Sequence, residues 1–232
     1  MSNIVKAFHP FDQSNIICIT YPNTVMLAKA FMRLQEFYES PIKDFCGRYF
    51  DRDEFKQAYA NFKGTGTSGQ EFTYYTDWVG FNVPGDVVNK YLKLFTDIHF
   101  TEESLIKLIE EYKPEQGSYY IIGIGQDDPE ESTYYHELSH AFWYLDKQYK
   151  SRMKHFINMK LSLGFTANIR RALKRSGYRD EVLDDEITAY LSTGRMIDIL
   201  DIVKNELETA ESIPWSAIVL FQQYFEEYLD GL

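Results

Sequence analysis

One helix constrains the fold of this 232-residue chain more than any other segment. This predicted helix runs from about Asp128 towards Tyr149, and its apolar side chains lie nearly all round the axis: Tyr134, Tyr135, Leu138, Ala141, Phe142, Trp143, Tyr144 and Leu145. A helix that is apolar on all sides is usually buried. Residues 119–124 predict a strand just before it, and Asp128, Pro129 and Glu131 are typical of a helix start. The segment therefore predicts a buried helix that directly follows a strand.

Two histidines on this helix have the spacing of metal ligands. His136 and His140 lie about 40° apart around the axis and one turn apart along it, so both imidazoles can bind one ion. Glu137 lies about 100° from His136, where it can reach a water held on that ion instead of binding it. The pattern predicts a mononuclear site, with zinc (Zn2+) as the expected ion. The alternative is that these are hydrogen-bonded polar residues without a metal.

Two nearby positions are weaker candidates for a third ligand. Asp146 lies ten residues after His136, where one class of zincins places its third ligand. That class needs a glycine near position 143 to turn the chain back, and here the residue is Trp143. If the helix continues towards Tyr149, as its pattern predicts, Asp146 lies about 15 Å from His136 along the axis and is excluded. His155 could be a ligand or could face a substrate, although a polar residue on a basic helix is the simpler interpretation.

Glu186 is the better third ligand. It lies within an arc of apolar residues at helical spacing, whereas Asp184 and Asp185 fall towards the edges of that arc or outside it. The arc consists of Val182, Leu183, Ile187, Ala189, Tyr190 and Leu191. A carboxylate on an apolar face must be paired, protonated or metal-bound, and an ion pair with a nearby basic side chain is the alternative. Two histidines and one glutamate leave a position for water, as catalytic zinc sites do.

These residues resemble the motifs of the zincin metallopeptidases, specifically those of a small, cytoplasmic gluzincin-like type. The resemblance rests on His136-Glu137-Leu138-Ser139-His140 and on the downstream segment Asp185–Tyr190, and it covers about residues 119–193. It implies a zincin-like fold and zinc bound by the two histidines and Glu186. It also implies that Glu137 takes a proton from the water that attacks a peptide carbonyl and passes it to the leaving amine.

One feature departs from that family. Larger gluzincins place an aspartate four residues after the ligand glutamate to orient a histidine, and here that position is Tyr190. The residue that orients the ligands is therefore not identified by the sequence. An oxyanion-stabilising group is also expected. Tyr178, Tyr190 and His155 are candidates for it, and the sequence does not rank them.

Composition and charge limit the possible partners. The chain has two cysteines, and Cys18 reads as a core residue, so no disulfide framework is expected. No signal peptide or apolar span is evident, so we expect a cytoplasmic protein without a membrane partner. The net charge of −11 disfavours nucleic acid. However, Lys147–Arg179 holds ten basic residues and no acidic one, so it could bind an acidic protein substrate or nucleic acid. The simpler interpretation is that its helices pack beside the acidic remainder of the chain and present ordinary solvated faces.

The order of elements predicts an α+β protein, with a small mixed β-sheet in the N-terminal half and a mostly helical C-terminal half. Strands are predicted at 16–20, 72–81 and 119–124, and helices at 25–39, 55–62, 84–95, 102–112, 128–149, 150–162, 167–176, 181–193, 195–209 and 214–229. Thr101 is predicted to cap the helix at 102–112. We expect an N-terminal α/β region of unknown role (1–115) and a metal-binding catalytic region (116–232) in one compact unit. The glycine-rich loop Gly64–Gly69 is the best candidate for a boundary within the chain.

A zinc-dependent peptidase that acts on a peptide or protein substrate is the leading functional hypothesis. Two histidines and one carboxylate also suit a non-haem iron oxygenase, which is the first alternative. The second is a non-catalytic zincin-like module that binds a partner. Glu137 argues against this module, because a purely structural zinc site is normally closed by four protein ligands and needs no base.

Overall fold

The computed structural model describes residues 5–12, 14–63, 72–127, 131–194, 196–203 and 213–232. Two compact units follow one another along the chain, Met1–Thr133 and Tyr134–Leu232. The sequence suggested a boundary after residue 115, which lies before the last strand of the first unit. The predicted loop Gly64–Gly69, Asp128, Pro129 and the side chain of Glu131 lie outside the described residues.

A mixed four-stranded sheet forms the centre of the first unit. Its strands are β1 (Lys6–Phe8), β2 (Ile16–Tyr21), β3 (Gly80–Pro84) and β4 (Tyr120–Gly125). The spatial order is β1-β2-β4-β3, with β2 and β4 parallel and both outer strands antiparallel to their neighbours. β2 and β4 are buried along most of their length because they are apolar on both faces. The predicted strands at 16–20 and 119–124 are confirmed, and β1 was not predicted.

Five helices accompany the sheet in the described part of the first unit. They are α1 (Thr24–Tyr38), α2 (Arg52–Phe62), α3 (Tyr74–Asp77), α4 (Gly85–Leu94) and α5 (Phe100–Tyr112). α1 lies directly on β4 at Gly123, where a Cβ atom would come within 2.7–2.9 Å of Phe31 and Leu27. Glycine at 123 therefore permits the close contact between helix and sheet that buries the middle of α1.

The predicted strand at 72–81 is wrong over most of its length. The chain forms the short helix α3 there, and the strand begins only at Gly80. The Asp77 carboxylate accepts hydrogen bonds from the Tyr59 and Thr73 hydroxyls at 2.7 and 3.0 Å, which holds the turn in place. Tyr74 is fully buried among aromatic rings. Aromatic residues favour strands through packing on a sheet, and here they pack on α2 instead.

A buried ion-pair network determines where α5 begins. Glu102 is 2% exposed and accepts hydrogen bonds from Arg33 at 2.6 and 2.9 Å and from Arg52 at 2.9 Å. It also accepts from the backbone N–H of His99, whose ring in turn accepts from the backbone N–H of Thr101. The helix cap is therefore His99, and the prediction of Thr101 is wrong. The network holds Glu102 at the third helical position, so the helix starts earlier than predicted.

A buried carboxyl group on α1 makes the stability of the first unit depend on pH. Burial raises the pKa of Glu36 from 4.5 to about 8, although the Ser40 and Tyr74 hydroxyls lower it in part. The folded protein keeps this proton up to about pH 8 while the unfolded chain releases it near 4.5. The free energy of unfolding therefore falls as the pH rises between these values and levels off above them.

We expect the Glu36→Gln substitution to remove this dependence. The variant should be more stable than the wild type by about 2–4 kcal/mol at pH 8 and equal to it near pH 4.5. Urea denaturation at a series of pH values measures how steeply the free energy of unfolding changes with pH in the wild type and in the variant. Glu103→Gln, which changes an exposed carboxylate on α5, is the control. Equal slopes for wild type and Glu36→Gln would contradict the prediction.

The second unit is helical throughout its described residues. Its helices are α6 (Glu131–Leu145, which starts just before the unit), α7 (Lys147–Lys160), α8 (Leu163–Arg175), α9 (Leu183–Thr193), α10 (Met196–Val203) and α11 (Trp215–Asp230). The predicted helices at 150–162, 167–176, 181–193 and 214–229 are confirmed within about four residues. The predicted helix at 195–209 is confirmed over Met196–Val203, and 204–209 lie outside the described residues. In the described ranges, no helix is both long and apolar enough to cross a membrane.

The predicted continuation of α6 towards Tyr149 is wrong. The helix ends at Leu145, and Asp146 caps a new helix by accepting hydrogen bonds from the backbone N–H groups of Gln148 and Tyr149 at 2.6 and 3.2 Å. The Tyr228 hydroxyl donates to the same carboxylate at 2.6 Å. Asp146 therefore serves as a helix cap, and its exclusion as a metal ligand follows from this role rather than from distance along one helix.

Taken together, the described residues form a mixed α/β protein with its small sheet in the N-terminal half. This confirms the predicted distribution of strands and helices.

Candidate metal centre

Two turns of α6 present the histidines on one face. The ring centroids of His136 and His140 are 4.9 Å apart, with the rings nearly perpendicular. His140 is buried, and the His136 side chain keeps 19% of its surface exposed. Glu137 between them is also buried. The helix is held by the buried side chains of Leu138, Ala141 and Phe142, which accounts for the apolar pattern around the motif.

Glu186 reaches the histidines from α9. Its Oε2 atom lies 3.8 Å from His136 Nε2, and its Oε1 atom lies 3.6 Å from His140 Nε2. Leu183, Ile187 and other apolar residues bury this face of α9, as the arc in the sequence predicted. The ligand atoms of the three side chains all lie within 4.8 Å of one another, so this group could hold a metal ion.

The cluster has two properties that fit a metal. Ligands bound to zinc at about 2.0–2.1 Å in a tetrahedron lie roughly 3.3 Å apart, so the two spacings given above require only small side-chain movements. Glu186 Oε2 is also fully buried and has no hydrogen-bond partner among the described residues. Burying a carboxylate oxygen without a hydrogen-bond donor costs free energy, and a bound cation would offset this cost.

The pKa values of the three groups reflect their burial and mutual charges. Burial, together with the neighbouring His140, lowers the pKa of His136 from 6.5 to about 4, so its ring is neutral and can bind a metal at pH 7. Burial raises the pKa of Glu186 to about 7, against the opposing effects of His140 and of a hydrogen bond with the Tyr178 hydroxyl. Burial alone would lower the pKa of His140, but the carboxylates of Asp185 and Glu186 outweigh it and raise that pKa.

Asp185 supplies the orienting carboxylate that the sequence did not identify. Its Oδ1 atom lies 2.9 Å from His140 Nδ1, which directs the Nε2 atom of that ring towards Glu186. A carboxylate on the far nitrogen fixes the tautomer of a ligand histidine and raises its basicity. The signal was present in the Asp185-Glu186 pair, because consecutive helical residues diverge by about 100° and can contact different sides of one ring.

Two tyrosines complete the surroundings of the cluster. The Tyr190 ring lies 4.7 Å from the His136 ring, and its hydroxyl is 3.2 Å from that of Tyr178. Burial, followed by the charge of Glu186, raises the pKa of both hydroxyls, so both remain protonated and able to donate. Glu137 also contributes to both shifts, which places its charge within range of the pair.

His155, the third candidate for oxyanion stabilisation, is not brought to this cluster. It lies on the exposed face of α7, and its described aromatic neighbour is Phe156. It forms no hydrogen bond or ion pair with His136, His140 or Glu186 in the described part of the chain. The structure therefore assembles six of the predicted site residues and leaves His155 at the surface.

We expect Asp185→Asn to weaken metal binding about 10–100-fold, because the amide keeps the size of the side chain but loses the charge that supports His140. Competition with a chromophoric zinc chelator measures the affinity. Asp184→Asn is the matched control, since Asp184 is the adjacent residue and pairs with Arg170 instead. If both variants bind zinc equally, Asp185 does not support the ligand.

Comparison of the chain with protein-family models, with curated proteins and with solved structures gave no match. The chemistry of the site must therefore be inferred from its own residues.

Proposed function

We propose that this chain is a zinc-dependent peptidase that hydrolyses peptide bonds in a peptide or protein substrate. The observation that carries the proposal is the placement of the buried Glu137 between two histidines that meet the carboxylate of Glu186. A structural site would need four protein ligands and no base, whereas the described cluster has three possible ligands, and the charge of Glu137 acts on both histidines.

Each residue has a distinct part in the proposed reaction. His136, His140 and Glu186 would hold the ion, and Asp185 keeps the His140 ring in position. Zinc, when bound, supplies a Lewis acid that polarises a carbonyl and lowers the pKa of a coordinated water. Glu137 accepts the proton of the attacking water and delivers it to the leaving amine.

Two tyrosine hydroxyls beside the cluster could stabilise the negative charge that develops on the carbonyl oxygen. Tyr178 and Tyr190 both keep their protons at neutral pH, their hydroxyls lie 3.2 Å apart, and each hydroxyl has one proton to donate. A preorganised donor of this kind contributes about 3–4 kcal/mol in other acyl-transfer sites. We therefore assign oxyanion stabilisation to this pair.

The direct test combines metal analysis with hydrolysis. Purified protein should contain about one zinc per chain, cleave members of a mixed peptide library detected by mass spectrometry, lose cleavage with a chelator and recover it with zinc. Iron in place of zinc, with oxygen-dependent modification instead of hydrolysis, would favour the oxygenase. A protein that binds no metal in excess zinc would overturn both enzyme functions and leave the interaction module.

A further inference from the structure

The basic segment of the sequence divides into two parts with different surroundings. On α8, two of the cations pair with carboxylates: Arg170 with Asp184, and Lys174 with Asp180 at 2.5 Å. In the described part of the chain, the cations of α7 form no such pair. Lys147, Lys150, Arg152, Lys154 and Lys160 form no ion pair with a carboxylate within the described ranges, and α7 contains no acidic residue.

Three of these lysines share one face of α7. Lys147, Lys150 and Lys154 follow one another at spacings of three and four residues, which places them on one side of the helix. Two of them are held in place, because the Nζ atoms of Lys150 and Lys154 lie 5.0 and 5.7 Å from the centre of the Trp143 ring. The adjacent carboxylate of Asp146 is occupied by its two backbone N–H donors and by Tyr228.

The three lysines span about 10 Å of α7, because the seven residue steps from Lys147 to Lys154 rise about 1.5 Å each. This length matches about three residues of an extended peptide. The surface therefore offers a short row of positive charges, two of which lie over the Trp143 ring.

We propose that α7 binds an acidic segment of the polypeptide substrate. This inference rests on the proposed peptidase function and names its substrate class. Outside Lys147–Arg179 the chain carries 14 basic and 35 acidic residues, so it repels a long polyanion such as nucleic acid but leaves room for a short acidic peptide on one helix. Trp143, covered by two lysines and 7% exposed, is not a platform on which bases could stack.

The probe is a fluorescein-labelled peptide of six glutamates, bound to the Glu137→Gln variant of the chain so that it is not cut. Anisotropy should show binding that weakens from 50 to 300 mM salt and is absent for the matching glutamine peptide. Replacing Lys147, Lys150 and Lys154 with glutamine should weaken binding about tenfold or more. The matched control changes Lys6, Lys93 and Lys107, three exposed lysines of the first unit, to glutamine and should alter binding less than twofold.

Equal losses in the two triple variants would overturn the proposal, because only net charge would matter. So would tighter binding of a single-stranded RNA, or sedimentation showing that α7 instead joins two copies of the chain. Different results would contradict the proposed peptidase function and the proposed α7 surface. Binding of the acidic probe without any zinc-dependent cleavage by the wild type would contradict the peptidase alone. Cleavage that is indifferent to acidic residues and to the α7 triple variant would contradict the α7 surface alone.

Discussion

Glu137→Gln should reduce peptide hydrolysis by at least about a hundredfold while leaving zinc bound at one ion per chain. Glutamine has nearly the size of glutamate but cannot take a proton from water, and general acid–base catalysis of this kind contributes about 10²–10⁴-fold. The residue is not among the three ligands, since it points about 100° away from His136 around α6. The substitution therefore separates catalysis from metal binding.

The control for this variant is Glu181→Gln, which removes an exposed carboxylate in the same unit. Its kcat and zinc content should equal those of the wild type. If Glu137→Gln retains more than a third of the wild-type kcat, Glu137 is not the base. If it loses zinc together with activity, the residue supports the ligands rather than the proton transfer.

Much of the metal cluster could be predicted from the sequence because each of the patterns that indicate it lies within a single helix. The spacing of His136 and His140 is a property of one helix, and Glu186 stands out as a carboxylate within an apolar arc. Both inferences follow from the geometry of a single helix and from the free-energy cost of burying a charged group. The meeting of α6 with α9 was inferred from the need for a third ligand, and the two helices do bring these side chains together.

The contacts that were missed depend on residues distant in the chain. Asp185 lies at the edge of the arc, and only the packing of α9 on α6 decides that it faces the His140 ring. The break at Asp146 is stabilised by Tyr228, 82 residues further along. β1 has three residues and acquires its structure by pairing with β2. The pattern of residues along the chain does not indicate which distant residues come into contact in the fold, so these features could not be predicted.

A substitution at Glu186 decides between the two explanations of its burial. If Glu186 is a metal ligand, Glu186→Gln should be at least as stable as the wild type in a chelator, because a neutral amide is cheaper to bury than a carboxylate. Zinc at about a thousandfold excess over its Kd should then stabilise the wild type by about 4 kcal/mol and the variant by much less. Calorimetric unfolding with and without zinc measures both.

The opposite pattern would identify Glu186 as an ion-pair partner of His140. Breaking a buried pair costs about 3–5 kcal/mol, so the variant would be destabilised by the same amount with and without zinc. Asp184→Asn, which changes a half-buried carboxylate two residues away, controls for charge on α9 and should respond to zinc as the wild type does. Because the Oε2 atom of Glu186 has no donor among the described residues, we expect the variant to be less stable than the wild type only when zinc is present.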